Sequence, residues 1–246
     1  MNPVSALLVL ARTLGLGATA PVLAAPGLEP RFRLLLAIAL ASVIAPVVGP
    51  GMDVPQGVYA IVSACLCELL IGAGLGWSAG LVIAGARQAG EVVGVQAGLS
   101  AAALFDPDAG DELTPLGHLY GLVALGVFLA LDGPLMLVRS LIESYEAMPV
   151  GELRLTLETA EIAFGRVGRA LALAIRAAAP PAIALTLAGV ALGLIGRAAP
   201  SLPLATMSLP VRYALGLLLA MLGAVALAGT LAAAWSAWPL PGSGGG

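Results

Sequence analysis

Lysine is missing from this 246-residue chain, and all eleven of its basic residues are arginine. A glycine-rich phosphate loop that depends on a lysine is therefore excluded. Histidine occurs once, as His118, and cysteine twice, as Cys65 and Cys67, too few donors for a four-ligand zinc site. Two positions apart on a helix, the cysteines point to different sides and cannot bridge one another, so both read as small apolar packers. Charged residues make up only 10% of the chain and the formal net charge is −3, with no basic patch of the kind nucleic acid attracts. A serine hydrolase needs a nucleophile with a base in reach, and neither that pattern nor a pair of intramembrane aspartates occurs. No catalytic residue, metal or cofactor is expected, and the chain does not read as an enzyme.

What fills the sequence instead is apolar surface. Hydrophobic residues account for 60% of it, and the mean hydropathy of +1.02 is that of a membrane-embedded protein. The fold class predicted is all-α. Six apolar segments, at 4–25, 32–48, 58–84, 119–142, 171–195 and 211–238, are each near or above the ~20 residues of a bilayer-spanning helix. The first carries Arg12 in its middle and has no basic start, so a retained helix is expected rather than a cleaved signal. Residues 1–238 read as one domain and 239–246 as a flexible Gly/Ser-rich tail. If the connections alternate sides, Arg31, Arg33, Arg87, Arg197 and Arg212 share one side and Arg154, Arg166 and Arg169 the other, which leans toward a cytoplasmic first set.

The densest information lies in residues 71–115. Gly72, Gly76, Gly80 and Ala84, then Ala86, Gly90, Gly94, Gly98 and Ala102, recur at four-residue steps, which on a helix puts each set on one face. A face without side chains lets another helix backbone come close, a main source of association in lipid. The expected occupants are neighbouring subunits. Gln88, Glu91 and Gln96 interrupt this helix on other faces and are candidates for a wet lumen or for subunit contacts. Glu68, Asp132 and Arg176 sit inside apolar runs, where charge is costly. Each either pairs with a neighbouring helix or subunit, or they form an ion pathway with Arg176 as counter-charge. Asp132-Gly133-Pro134 and Pro180-Pro181 are expected to break their helices. At Phe105-Asp106-Pro107 the helical pattern stops, because proline disfavours the α region for the residue before it, and Thr114-Pro115 then opens the next helix as cap and first residue.

The ordered series Gln88-Ala89-Gly90-Glu91, Gln96-Ala97-Gly98-Leu99-Ser100, Phe105-Asp106-Pro107, Leu129-Ala130-Leu131-Asp132-Gly133, Ser144-Tyr145 and Pro149-Val150-Gly151, with Gly196-Arg197-Ala198-Ala199-Pro200 further on, resembles the FliR family of flagellar biosynthetic proteins. The virulence-secretion members SctT and SpaR are more distant. The resemblance implies a structural, pore-forming subunit of a type III protein export gate in the bacterial inner membrane at the flagellar basal body. Its implied partners are FliP and FliQ, with FlhB and the FlhA export platform alongside, and its implied cargo is unfolded flagellar protein. By position, the family's pore-plugging loop falls on Phe105, Asp106, Pro107, Asp108, Ala109 and Gly110. The chain departs from the family pattern at Asp132 and Pro134, and again at Ser201 and Pro203. The competing expectation is a self-sufficient membrane transporter or channel that uses Glu68, Asp132 and Arg176.

Overall fold

A computed structural model of the chain describes residues 3–21, 29–48, 55–99, 114–148, 150, 157–198 and 204–236. Among them run seven helices: α1 (Pro3–Thr19), α2 (Pro30–Val48), α3 (Val58–Ala97), α4 (Pro115–Ala130), α5 (Gly133–Ala147), α6 (Leu157–Ala198) and α7 (Leu204–Ser236). No strand occurs among the described residues. The all-α class follows from apolar runs too long for strands.

Among the described residues, four helices are long and apolar enough to cross a membrane: α2, α3, Phe164–Ala198 of α6 and Pro210–Trp235 of α7. α4 and α5 form a pair bent by 66° that together has the length and composition of one more span. Of the six apolar segments expected from hydropathy, the first is thus shorter than a span, and the fourth is broken where Asp132-Gly133-Pro134 was expected to break it. α1 has 17 residues, roughly 26 Å of helix against a hydrocarbon core of about 30 Å. The fourth segment is broken in its middle. Conversely α3, with 40 residues, and α6, with 42, each carry about 60 Å of helix, twice the thickness of that core.

The break between α4 and α5 has a local cause. Asp132 takes φ 55° and ψ 35°, the left-handed region, without any side-chain capping bond. Its N–H donates to the Leu129 carbonyl at 3.1 Å, and its own carbonyl receives the Met136 N–H at 3.0 Å, so one residue closes α4 and opens α5. Gly133 follows because a Cβ there would collide with the Phe128 ring, and Pro134 occupies the first turn, where it needs no intrahelical partner. At Pro180-Pro181 the outcome is the reverse of that expected: α6 runs through both prolines. Prolines are tolerated inside apolar helices where surrounding groups satisfy the carbonyls they release.

The chain divides into two compact units. The first, made of Met1–Leu81, Phe128–Val167 and Ser236–Gly246, centres on α1, which buries Ser5, Leu8, Val9, Ala11, Arg12, Thr13, Gly15, Leu16 and Gly17 and is covered on most sides. α2 buries only Ala37, Ala41, Ile44 and Ala45, one narrow stripe at helical spacing. Its other side leaves Phe32, Leu35, Val43 and Val47 exposed. Thr13 donates to the Ala37 carbonyl at 3.3 Å and Thr19 to the Ala73 carbonyl at 2.8 Å, tying α1 to α2 and α3.

The second unit holds Val82–Val127 and Gly168–Trp235, that is the end of α3, most of α4 and α6, and α7. Tyr120 of α4 is fully buried and donates to the Ala220 carbonyl of α7 at 3.2 Å, in space that Gly223 leaves open. Gly85 of α3 meets the backbone of Ala170 on α6. Outward, α6 exposes Leu171, Ile175, Ile183, Leu187 and Leu194, and α7 exposes Leu217, Leu218, Met221, Leu222 and Val225. Continuous apolar faces of this kind require lipid or another polypeptide to cover them.

Candidate functional site

Residues 98 and 114 flank the segment in which sequence places the plug, and both are fixed by side chains from elsewhere in the second unit. α3 ends at Ala97 and Gly98 follows at φ +86°, a conformation open to glycine at little cost. Its N–H donates to the Val95 carbonyl at 3.0 Å, an arrangement that terminates helices. Gly98 therefore caps α3 rather than extending the flat face, the role sequence spacing had assigned to it. The Gly98 carbonyl in turn accepts the Tyr213 hydroxyl of α7 at 2.9 Å. Three residues along α7, Gly216 leaves the space that the fully buried Ala97 side chain needs.

At the other flank Thr114 is buried. Its backbone N–H and its hydroxyl both donate to Oε2 of Glu91, at 2.7 and 2.9 Å. The same hydroxyl oxygen accepts the Gly117 N–H at 3.3 Å, the N-cap that threonine before a proline predicts. A carboxylate beside the first turn of a helix is also favoured by the helix dipole. Thr114 comes this close because Gly94 has no side chain: a Cβ there would overlap the threonine, whose own Cβ would lie 2.7 Å away. Gly90, one turn earlier, meets the backbone of Leu116 and the Cα of Gly117, the latter at 2.9 Å from where its Cβ would be. Gly90, Glu91 and Gly94 thus act together. The glycines let the first turn of α4 lie on the α3 backbone, and Glu91, three residues before Gly94 and so on the adjoining face, reaches the cap.

In the first unit the α1–α3 crossing is built the same way. Gly72 would place a Cβ on the Arg12 carbonyl, Gly76 on Thr19 with the Ala20 nitrogen 2.7 Å away, and Gly15 on the Leu69 carbonyl. Gly80 is looser, with nothing nearer than the Thr19 carbonyl at 3.9 Å. At Gly72, Gly76, Gly90 and Gly94 the close neighbour is therefore α1 or α4 of the same chain, where spacing had predicted another subunit. Spacing records that a backbone must approach closely; it does not record whose.

Glu68 is completely buried beside an equally buried Arg12. Arg12 Nε donates to Oε2 at 2.5 Å and Nη2 to Oε1 at 3.0 Å. The remaining donors reach Ser144 Oγ at 2.9 Å and the Met148 carbonyl at 3.1 Å, and the guanidinium lies 3.9 Å from the Tyr145 ring centroid. Both carboxylate oxygens of Glu68 are thus occupied by Arg12, while Asp132 and Arg176 are exposed, so the expected constellation of Glu68 with Arg176 as counter-charge does not form. Arg12 was visible in sequence only as a charge in the first apolar run, and its partner 56 residues away was not. Tyr213 gave no sequence signal at all.

Of the remaining sequence candidates, Gln88 is exposed, as is His118. Gln96 is half-buried, and its buried Oε1 accepts no hydrogen bond among the described residues. Phe105, Asp106, Pro107, Asp108, Ala109 and Gly110 lie outside the described residues.

Comparison with known proteins gives one consistent answer. The family described as bacterial export proteins, family 1, matches residues 4–237. Flagellar biosynthetic protein FliR of Escherichia coli (strain K12) is 33% identical over 209 residues, which is 85% of this chain and 79% of that protein. The protein of the same name from Caulobacter vibrioides is 27% identical over 216 residues, 86% of this chain and 85% of that one. Yop proteins translocation protein T of Yersinia pestis is 29% identical over 154 residues, 62% of this chain and 59% of that protein.

Proposed function

Because this chain belongs to the bacterial export proteins, family 1, we propose that it is a structural, pore-forming subunit of a flagellar type III protein export gate. The observation that carries this reading is the continuity of the match, which runs over 85% of the chain with a flagellar biosynthetic relative. Assembly with FliP and FliQ, beside FlhB and facing the FlhA export platform, gives the outward apolar faces of α2, α6 and α7 their cover. The site of action is the bacterial inner membrane at the flagellar basal body.

The mechanism is mechanical. Phe105, Asp106, Pro107, Asp108, Ala109 and Gly110 block the lumen in the resting gate, and export cargo shifts the population to a state in which they are displaced. Gln96, with its unfilled acceptor, is a contact to a neighbouring subunit or the wet lumen. The test is purification from native membranes with identification of the bound chains, followed by deletion of residues 106–110. FliP and FliQ are expected to co-purify, and the deletion is expected to leave the complex intact while raising its leak to ions. An assembled deletion variant with no added leak removes the plug assignment, and a chain that purifies alone and transports a solute in liposomes removes the gate reading itself.

A further inference from the structure

We propose that one stripe of α3, bounded by Tyr59 and Trp77, is a surface that lies against the acyl chains of phospholipid, an inference that rests on the membrane location proposed above and not on the plug. Tyr59 is 93% exposed and Trp77 49%. About five helical turns separate them, so they share one face and stand roughly 27 Å apart. The hydrocarbon core of a bilayer is about 30 Å thick, and tyrosine and tryptophan favour its two interfaces, where an apolar ring and a polar tip are both satisfied. Between them the same face exposes Val62, Leu66, Leu69 and Leu70. The one hydroxyl on it, that of Ser63, donates to the Ala60 carbonyl at 3.0 Å and so needs no water. Beyond Trp77 the next exposed residues on that face are Ala84 and Gln88, so this run of large apolar side chains stops at the tryptophan.

What the two sides of α3 carry favours lipid over a neighbouring helix as the occupant. Toward α1 the helix presents Gly72 and Gly76, whose missing side chains let two backbones touch, the means by which helices associate in lipid. The outward stripe presents leucines and a valine instead, which hold a second backbone away and match acyl chains in polarity. Glu68 stands midway between Tyr59 and Trp77 and, roughly two and a half turns from each, on the opposite side of the helix. It is fully buried with Arg12. The stripe therefore sets the depth of that ion pair, which lies at the bilayer mid-plane, where an unpaired charge is most costly. The further bonds of Arg12 to Ser144 and the Met148 carbonyl meet the demand of that depth.

The experiment uses the complex purified from native membranes, carrying Cys65→Ala and Cys67→Ala, in liposomes of phosphatidylethanolamine and phosphatidylglycerol. Tyr59→Cys, Leu66→Cys, Leu70→Cys and Trp77→Cys are introduced one at a time and labelled with a nitroxide. Collisions of the label with oxygen, which enters hydrocarbon, are compared with those of a water-soluble nickel chelate, which does not. At 66 and 70 the oxygen collisions are expected to persist and the nickel collisions to be lost, while at 59 and 77 both are expected. Loss of both reagents at 66 and 70 shows that a polypeptide covers the stripe, which overturns the proposal and leaves the membrane location standing. Nickel collisions at all four positions overturn both. Loss of nickel at 59 or 77 as well overturns the boundary placed there. A second readout keeps the native cysteines and replaces Leu66 with photoreactive benzoylphenylalanine. An adduct to phospholipid is expected, an adduct to another subunit overturns the proposal, and this readout decides alone if the cysteine-free complex does not assemble.

Discussion

Arg12 of α1 and Glu68 of α3 form a two-point ion pair from which solvent is wholly excluded, with Arg12 also bonded to Ser144 and the Met148 carbonyl at the end of α5. A buried pair of this kind adds little net stability over a well-packed apolar pair, but removing one member strands the other, at a cost of about 3–5 kcal/mol. Arg12→Ala and Glu68→Ala should each lower the thermal midpoint of the detergent-purified protein sharply. The double variant Arg12→Met with Glu68→Leu should regain much of the loss. Equal midpoints for the single and double variants would show that desolvated charge is not what the single changes expose.

The glycines of α3 differ in what an added methyl group would meet. Gly72 faces the Arg12 carbonyl directly, whereas at Gly80 the nearest atom is at ordinary contact distance. Gly72→Ala must push two backbones apart and is expected to destabilise by roughly 1–3 kcal/mol. Gly80→Ala is expected to be neutral or to stabilise by up to about 1 kcal/mol, the helix-propensity gain of alanine over glycine. Thermal midpoints of the two variants decide it, and an order reversed from this one contradicts the α1–α3 crossing.

Gly94→Leu is expected to disrupt the chain itself, by driving α4 off α3, before it affects any subunit contact. Limited proteolysis should then cut near the start of α4 in the isolated protein as well as in the complex. A variant that resists proteolysis alone but loses its partners would place the Gly94 contact between subunits instead.

Asp132 holds a left-handed backbone without a side-chain capping bond. Its tolerance of that conformation, and not its charge, is therefore the property the break requires. Asp132→Asn should leave stability unchanged, since asparagine visits this region as readily. Asp132→Val should cost about 1–2 kcal/mol, because a β-branched residue crowds the following carbonyl there. Both are read from thermal unfolding, and a valine variant as stable as the parent would show that the 66° bend arises elsewhere.

The sequence by itself determined everything that depends on near neighbours in the chain. Helical apolar runs, the break at Asp132-Gly133-Pro134, the threonine-proline start of α4 and the four-residue glycine step are all local, because propensity, capping and side-chain direction are settled within a few residues. The family resemblance was legible for the same reason, as an ordered series of short motifs. Only the tertiary structure decided which helix lies against which. Nothing local links Arg12 to Glu68 or to Ser144, 132 residues away, nor Tyr213 to Gly98, nor tells that α1 and α4 fill the flat faces of α3. A flat face or a lone charge fixes only the kind of partner it requires. Which one arrives is set by all helices packing at once, and in apolar surroundings, where burial alone gives helices no preference for one another, backbone fit and hydrogen bonds make the choice.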